Sequence, residues 1–213
     1  MPTYTDTQET RQSAGRVVKA GGLVLFRTDT FYGVGADPFD DAALERINTL
    51  KGRDGKPILV LAADPLDAER LIAERTRTFD ILAASRWPGA LTLVAAARAE
   101  VPELLTAGTG TIGVRLPDDE EARSIVRACG GLLTATSANP AGRPPARTAA
   151  EVADYFPNGF DIIIDGGVTR TELPSTVIDV TGLQPRLIRQ GVVTRAELEE
   201  TLRITGCGFR ISD

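Results

Sequence analysis

Residues 23–35 read L-V-L-F-R-T-D-T-F-Y-G-V-G, and residues 50–53 read L-K-G-R. The apolar run from Leu23 to Phe26 has the length and composition of a buried strand. It empties into hydroxyls, one carboxylate and two glycines. Gly33 and Gly35 can take backbone angles that other residues avoid, which lets main-chain N–H groups approach a ligand, while Thr28 and Thr30 are compact donors and acceptors. Asp40 is a good N-cap for a following helix. Within that helix Leu44, Ile47 and Leu50 recur at i, i+3 and i+6, so they share one buried stripe and leave Lys51 and Arg53 just past its end. Strand, glycine corner and cation-bearing helix together make an anion-binding corner. A basic pair at a helix C-terminus also complements the helix dipole without any ligand, and the local residues leave both readings open.

Outward from this stretch, residues 8–20 read as a helix with Thr7 as its cap and Gly21 as its stop. Residues 57–62 form another continuous apolar run, a strand buried on both faces. Residues 66–85 read as two short helices, residues 87–90 as a turn with Trp87 as a packing anchor, and residues 91–96 as a strand. In T-I-G-V-R-L the alternation puts Thr111, Gly113 and Arg115 on one face. The acidic residues 118–121 open a helix that ends at Gly130 and Gly131, their carboxylates serving the dipole and solvent, with Asp118 or Glu121 as a purely structural partner for Arg115. Residues 132–134 are a strand that runs into an irregular loop over residues 136–148, and further strands fall at residues 161–165, 176–180 and 185–189. The capping box from Thr194 to Glu197 opens the last helix. This mixture of strand and helix predicts an α/β domain with one large mixed sheet, a single domain over residues 1–213 with a core at about 12–202 and a tail at 203–213.

The 213 residues are 42% hydrophobic, with a net charge of -5, which argues against a protein that coats nucleic acid or anionic membrane by bulk electrostatics. No apolar run reaches the roughly 18 residues of a membrane span, so a cytoplasmic chain without membrane contact is expected. Cys129 and Cys207 lack zinc or C-x-x-C spacing. The absence of histidine removes the Ser-His-Asp triad, the Cys-His pair and histidine metal ligation together. Chemistry is left to hydroxyls, carboxylates, Lys and Arg. Hydroxyl and cation recur together as Thr30 with Lys51 and Arg53, Thr111 with Arg115, Ser137 and Asn139 with Arg143 and Arg147, and Ser175 with Arg189. Several guanidinium groups around one cleft suit a polyanion, because each binds phosphate in a fork. Neither a G-x-x-x-x-G-K-[ST] loop nor a G-x-G-x-x-G fingerprint is present.

Seven strings in order carry a more specific signal: T-D-T-F-Y-G-V-G, L-K-G-R, S-R-W-P-G-A-L-T-L-V, T-I-G-V-R-L-P, T-S-A-N-P-A-G-R-P-P, S-T-V-I-D-V and L-I-R-Q-G. They resemble the YrdC/Sua5 family of threonylcarbamoyl-AMP synthases. The resemblance implies a twisted mixed sheet flanked by helices around an open, electropositive cleft. It implies a reaction joining L-threonine, bicarbonate or CO2, and ATP into threonylcarbamoyl-AMP and pyrophosphate, the first step of tRNA t6A modification. By the same resemblance Thr30, Arg115, Ser137 and Ser175 match positions that contact threonine. Arg53, Thr111, Asn139, Arg147 and Arg189 match positions near ATP, with Lys51 beside them, and Lys51 and Arg53 orient and offset charge with no covalent nucleophile. Mg2+ enters with the ATP phosphates, not through protein side chains, and no organic cofactor is implied. The implied partners are the machinery that transfers the threonylcarbamoyl group and, weakly, tRNA. The alternatives are an RNA-binding module of the same fold, or a paralogue that adenylates carbamoyl or another carboxylate. The chain departs from the family pattern at Arg27, where proline is usual, at Leu61, often His, at Pro145, often Ser, and in a shortened R-D-G-K-P at residues 53–57.

Overall fold

The computed structural model describes residues 2–52, 55–206 and 211–212, so the calls on Arg53 and Cys207 lie outside the described residues. Along the chain run β1 (Thr3–Thr5), α1 (Gln8–Lys19), β2 (Val24–Arg27), β3 (Tyr32–Gly35), α2 (Asp41–Lys51), β4 (Val60–Ala62) and α3 (Pro65–Ala68). Next come β5 (Ile72–Glu74), α4 (Arg77–Arg86), β6 (Leu91–Ala97), α5 (Glu103–Thr106), β7 (Thr111–Arg115), α6 (Glu120–Ala128) and β8 (Leu132–Thr134). The chain continues through β9 (Thr136–Ser137), α7 (Ala149–Tyr155), β10 (Ile162–Asp165), β11 (Thr176–Asp179), β12 (Arg186–Arg189) and α8 (Arg195–Ile204).

The helices start where their caps dictate. Thr7 Oγ1 accepts the Thr10 N–H at 3.2 Å, the Asp40 carboxylate accepts the Ala43 N–H at 3.1 Å, and Thr194 and Glu197 close the capping box of α8. Gly52, at φ 57°, ends α2 in the left-handed conformation that glycine adopts without strain. Six elements go beyond the sequence reading: β1, β3, β5, α5, β9 and α7. The most consequential is β3, because the expected glycine corner is a strand. β2 and β3 pair antiparallel from Val24 with Gly35 to Arg27 with Tyr32, leaving only residues 28–31 as a loop. Neither Gly33 nor Gly35 has positive φ, which corrects the expectation that they use backbone angles closed to other residues.

The α/β class with mixed strand pairing holds, but the strands divide into two sheets. One runs β1-β10-β2-β3-β9, and the other runs β12-β11-β6-β7-β4-β8 with β5 on β6. The division falls at Ala135: β8 pairs with β4 in the second sheet, and two residues on β9 pairs with β3 in the first. Thr134 bridges the two, donating its N–H to the Ala36 carbonyl at 3.0 Å and accepting the Ala36 N–H on its hydroxyl at 2.8 Å.

Alternation within strands serves two apolar layers. Leu25, Val60 and Ile163 join a cluster with Leu44, Ile47 and Leu198, whereas Val24, Phe26, Leu61, Ile162 and Ile164 face Ala14, Val18, Ile125 and Val126 of α1 and α6. This is why the apolar runs read as strands buried on both faces. Trp87 is a packing anchor as expected, edge-on to Phe79 at 5.5 Å with its indole N–H on the Leu91 carbonyl at 2.7 Å. The acidic run at the start of α6 does more than serve dipole and solvent. Asp119 is buried, caps α6 by accepting the Ala122 N–H at 3.1 Å, and pairs with Arg27, as does Glu121.

Gly35 is a packing glycine. A Cβ there would lie 2.9 Å from Leu133 and from Phe26. Gly35→Val is expected to destabilise the protein by about 1–3 kcal/mol through overpacking, measured as a lowered urea midpoint. An unchanged midpoint would remove the packing explanation.

Candidate anion-binding cavity

The loop between β2 and β3 folds on its own hydroxyls. Thr28 Oγ1 donates to the Phe31 carbonyl at 2.7 Å and lies 3.2 Å from Thr30 Oγ1. This loop forms one wall of a cavity of about 390 Å3, within the range of small-molecule sites. Opposite it, β7 delivers Arg115, the start of β11 delivers Ser175, and β12 ends in Arg189. The end of α2 supplies Lys51, the approach to β4 supplies Lys56, Leu59 and Leu61, and β9 with its following turn supplies Ser137 and Asn139. Both sheets therefore contribute to one space.

Lys51 is the last residue of α2, not a residue past it, and is buried with Nζ donating to the Ser137 carbonyl. Ser137 Oγ donates to Asn139 Oδ1 at 2.6 Å, and Asn139 Nδ2 donates to the Arg143 carbonyl at 2.6 Å, so the S-A-N turn is held from within. Arg115 is 3% exposed and anchored on three sides: Nε donates to the Gly89 carbonyl at 3.0 Å, Nη1 to Thr30 Oγ1 at 3.1 Å, and Nη2 pairs with Asp29. Its ion-pair partner is Asp29, not the Asp118 or Glu121 that the purely structural alternative for Arg115 would need. Ser175 Oγ lies 3.0 Å from Thr92 Oγ1, and Arg189 donates to the Ser175 carbonyl from Nε at 3.2 Å and from Nη2 at 3.0 Å. Burial, and then the neighbouring Arg115 charge, hold the Arg189 guanidinium below its usual range. A pair of cations that penalise each other is relieved by an anion between them.

Seven of the sequence-predicted residues, Thr30, Lys51, Arg115, Ser137, Asn139, Ser175 and Arg189, line this one cavity. Thr111 does not. It shares a face of β7 with Arg115 but stands four residues away, about 13 Å along the strand, with its hydroxyl on Thr109 at 2.9 Å. Arg147 is also outside the lining, paired with Glu172 on the segment before β11. Lys56, Thr136 and Leu59 line the cavity without having been singled out as site residues, and Thr28, read from the sequence as part of the anion-binding corner, lines it as well. For Lys56 the available signal was its place before Pro57, at the mouth of a buried strand.

The described lining residues include four cations, Lys51, Lys56, Arg115 and Arg189, and no carboxylate. Among the described residues no cluster of three or more Asp, Glu, Cys or His side chains is placed to hold a metal. The donor set suits an anion and does not fit a resident divalent cation. No helix among the described residues is long and apolar enough to cross a membrane.

Fold and cavity define an α/β domain with a cation-lined cavity built across two sheets. The family model for the Sua5/YciO/YrdC domain, described as telomere recombination, matches residues 16–191, and the chain belongs to that family. It is 37% identical over 190 residues to the threonylcarbamoyl-AMP synthase of Pyrococcus abyssi (strain GE5 / Orsay), covering 89% of this chain and 56% of that protein. To the threonylcarbamoyl-AMP synthase of Idiomarina loihiensis it is 36% identical over 177 residues, covering 80% of this chain and 93% of that protein. The crystal structure of P. abyssi Sua5 complexed with L-threonine superposes with a TM-score of 0.91 at 34% identity, over 99% of this chain and 61% of that one. The chain thus spans a little over half the length of the archaeal relative.

Proposed function

We propose that this chain is a threonylcarbamoyl-AMP synthase, a nucleotidyltransferase that joins L-threonine, bicarbonate or CO2, and ATP and releases pyrophosphate. The observation that carries this reading is the convergence of Thr30, Ser137 and Ser175 with Lys51, Lys56, Arg115 and Arg189 on one cavity, in a chain of this family. The amine of threonine adds to CO2 to give a carbamate. A carbamate oxygen then forms a bond to the α-phosphorus, and the bond from that phosphorus to the bridging oxygen of pyrophosphate breaks. The substrate brings its own nucleophile, which suits a protein without histidine. The protein holds the reactants at one place and offsets charge developing on the phosphates. In this reading Arg115 takes the threonine carboxylate while Lys51, Arg53, Asn139 and Arg189 attend the nucleotide. Thr111 and Arg147, outside the lining, are reached by the extended parts of ATP. Mg2+ arrives as part of the ATP substrate, and the product passes to the enzymes that modify tRNA.

The test is pyrophosphate release, with mass spectrometry of the product. Release that needs both threonine and bicarbonate, with a threonylcarbamoyl-AMP mass, is expected. Release with carbamoyl phosphate in place of threonine would point to the carboxylate-adenylating paralogue instead. Selectivity is a second expectation. A pocket that hydrogen-bonds the substrate hydroxyl leaves its own polar groups unpaired when that hydroxyl is missing, so 2-aminobutyrate and valine should fall by about 10⁴-fold in kcat/KM. Serine, which lacks one methyl, should lose only about 1–3 kcal/mol and be the best wrong substrate. Equal turnover of serine and 2-aminobutyrate would exclude hydroxyl recognition.

A further inference from the structure

Asp29 does not line the cavity but stands behind it. It is 9% exposed, pairs with Arg115 through Oδ1, and accepts the Asp118 N–H on Oδ2 at 3.3 Å. It thereby ties the β2–β3 loop to the turn after β7. The hydroxyl hydrogen of Thr28 goes to the Phe31 carbonyl, because a carbonyl cannot donate. Thr28 Oγ1 in turn accepts the Thr30 N–H at 3.2 Å and the Phe31 N–H at 3.3 Å, which occupies both of its lone pairs. Thr30 Oγ1 accepts from Arg115 Nη1, and its second lone pair is left for the cavity. Of the five N–H donors of Arg115, two are hydrogen-bonded, to Gly89 and Thr30, while Nη2 stands against Asp29 as an ion pair without a hydrogen bond.

We infer that Asp29 is a positioning residue for the amino-acid site: its charge holds Arg115 against Thr30 and so fixes where the guanidinium meets the ligand. Thr30 then receives an N–H or O–H of the bound amino acid, and the carboxylate of that ligand falls to the guanidinium of Arg115. This rests on the proposed threonine site.

The test is calorimetric binding of threonine and of ATP, measured separately, for wild type, Asp29→Asn, Arg115→Ala and the double variant. Asp29→Asn keeps an acceptor for the Asp118 N–H but loses the charge. It should weaken threonine roughly ten- to hundredfold, the span for hydrogen bonds to charged groups, and leave ATP affinity unchanged. Because Asp29 acts through Arg115, the double variant should bind threonine no worse than Arg115→Ala alone. Unchanged threonine affinity in folded Asp29→Asn, an equal loss for ATP, or a further loss in the double variant would each overturn the inference. Should Asp29→Asn not fold, Asp29→Glu, which keeps the charge but displaces it by one methylene, takes its place: weaker threonine with unchanged ATP is expected, and unchanged threonine overturns the inference. Wild type that binds no threonine overturns the functional reading and this inference with it; wild type that binds threonine beside an unaffected Asp29→Asn overturns this inference alone.

Discussion

Lys51→Met is expected to lower turnover by about 10²–10³-fold, the loss typical of removing one preorganised group that stabilises developing negative charge. Lys51 closes α2, is buried, and points its ammonium at the Ser137 carbonyl in the wall of the cavity. Methionine keeps the packing of the stem while removing the charge, so the fold should survive and circular dichroism should be unchanged. The measurement is pyrophosphate release at saturating ATP and threonine. If Lys51 only complements the dipole of α2, its loss would cost at most about 1 kcal/mol of stability and nothing in turnover. Full activity in a folded Lys51→Met protein would therefore return Lys51 to that structural role.

Arg115→Ala should act on stability and on binding together. Removing the guanidinium leaves Asp29 buried without its counter-charge, which costs about 3–5 kcal/mol of folding free energy. The same change removes the cation assigned to the threonine carboxylate, a further loss of about 1.5–3 kcal/mol in threonine affinity. Thermal unfolding reads the first effect and calorimetry at a temperature where the variant is folded reads the second. A folded variant that binds threonine like wild type takes Arg115 out of the amino-acid site and leaves it as the partner of Asp29.

The sequence made the positions of strands legible wherever a strand is buried on both faces. L-V-L-F, the run before Ala62 and the isoleucines at 162–164 are apolar whichever way each side chain turns. Helix starts were legible because Thr7, Asp40 and Thr194 satisfy backbone donors within three residues of themselves. β3 was not. Two glycines weaken a strand locally, and the reason for Gly35, the closeness of Leu133 and Phe26, exists only in the assembled fold. The division of the sheet at Ala135 was hidden for a similar reason: its neighbours differ in their partners, not in their own propensities. In the cavity, alternation along β7 correctly put Thr111 and Arg115 on one face. Face parity, however, does not register distance along a strand, and Thr111 stands well outside the lining. Asp29 was concealed by its setting, since an Asp between two threonines reads as turn chemistry until Arg115, 86 positions away, is seen against it.

The place of β10 between β1 and β2 bears on how the chain is made. β2 gains its neighbour β3 almost at once, but its other edge pairs only with Ile162 and Ile163. During synthesis from the N-terminus, L-V-L-F therefore leaves the ribosome with one row of backbone donors and acceptors bare, and stays so until most of the chain has followed. Such an edge is sticky toward other nascent strands, and pairings between distant segments are slow to form. A chain stopped short of residue 162 would keep that edge and also lack Ser175 and Arg189, making it both prone to aggregate and unable to assemble the cavity.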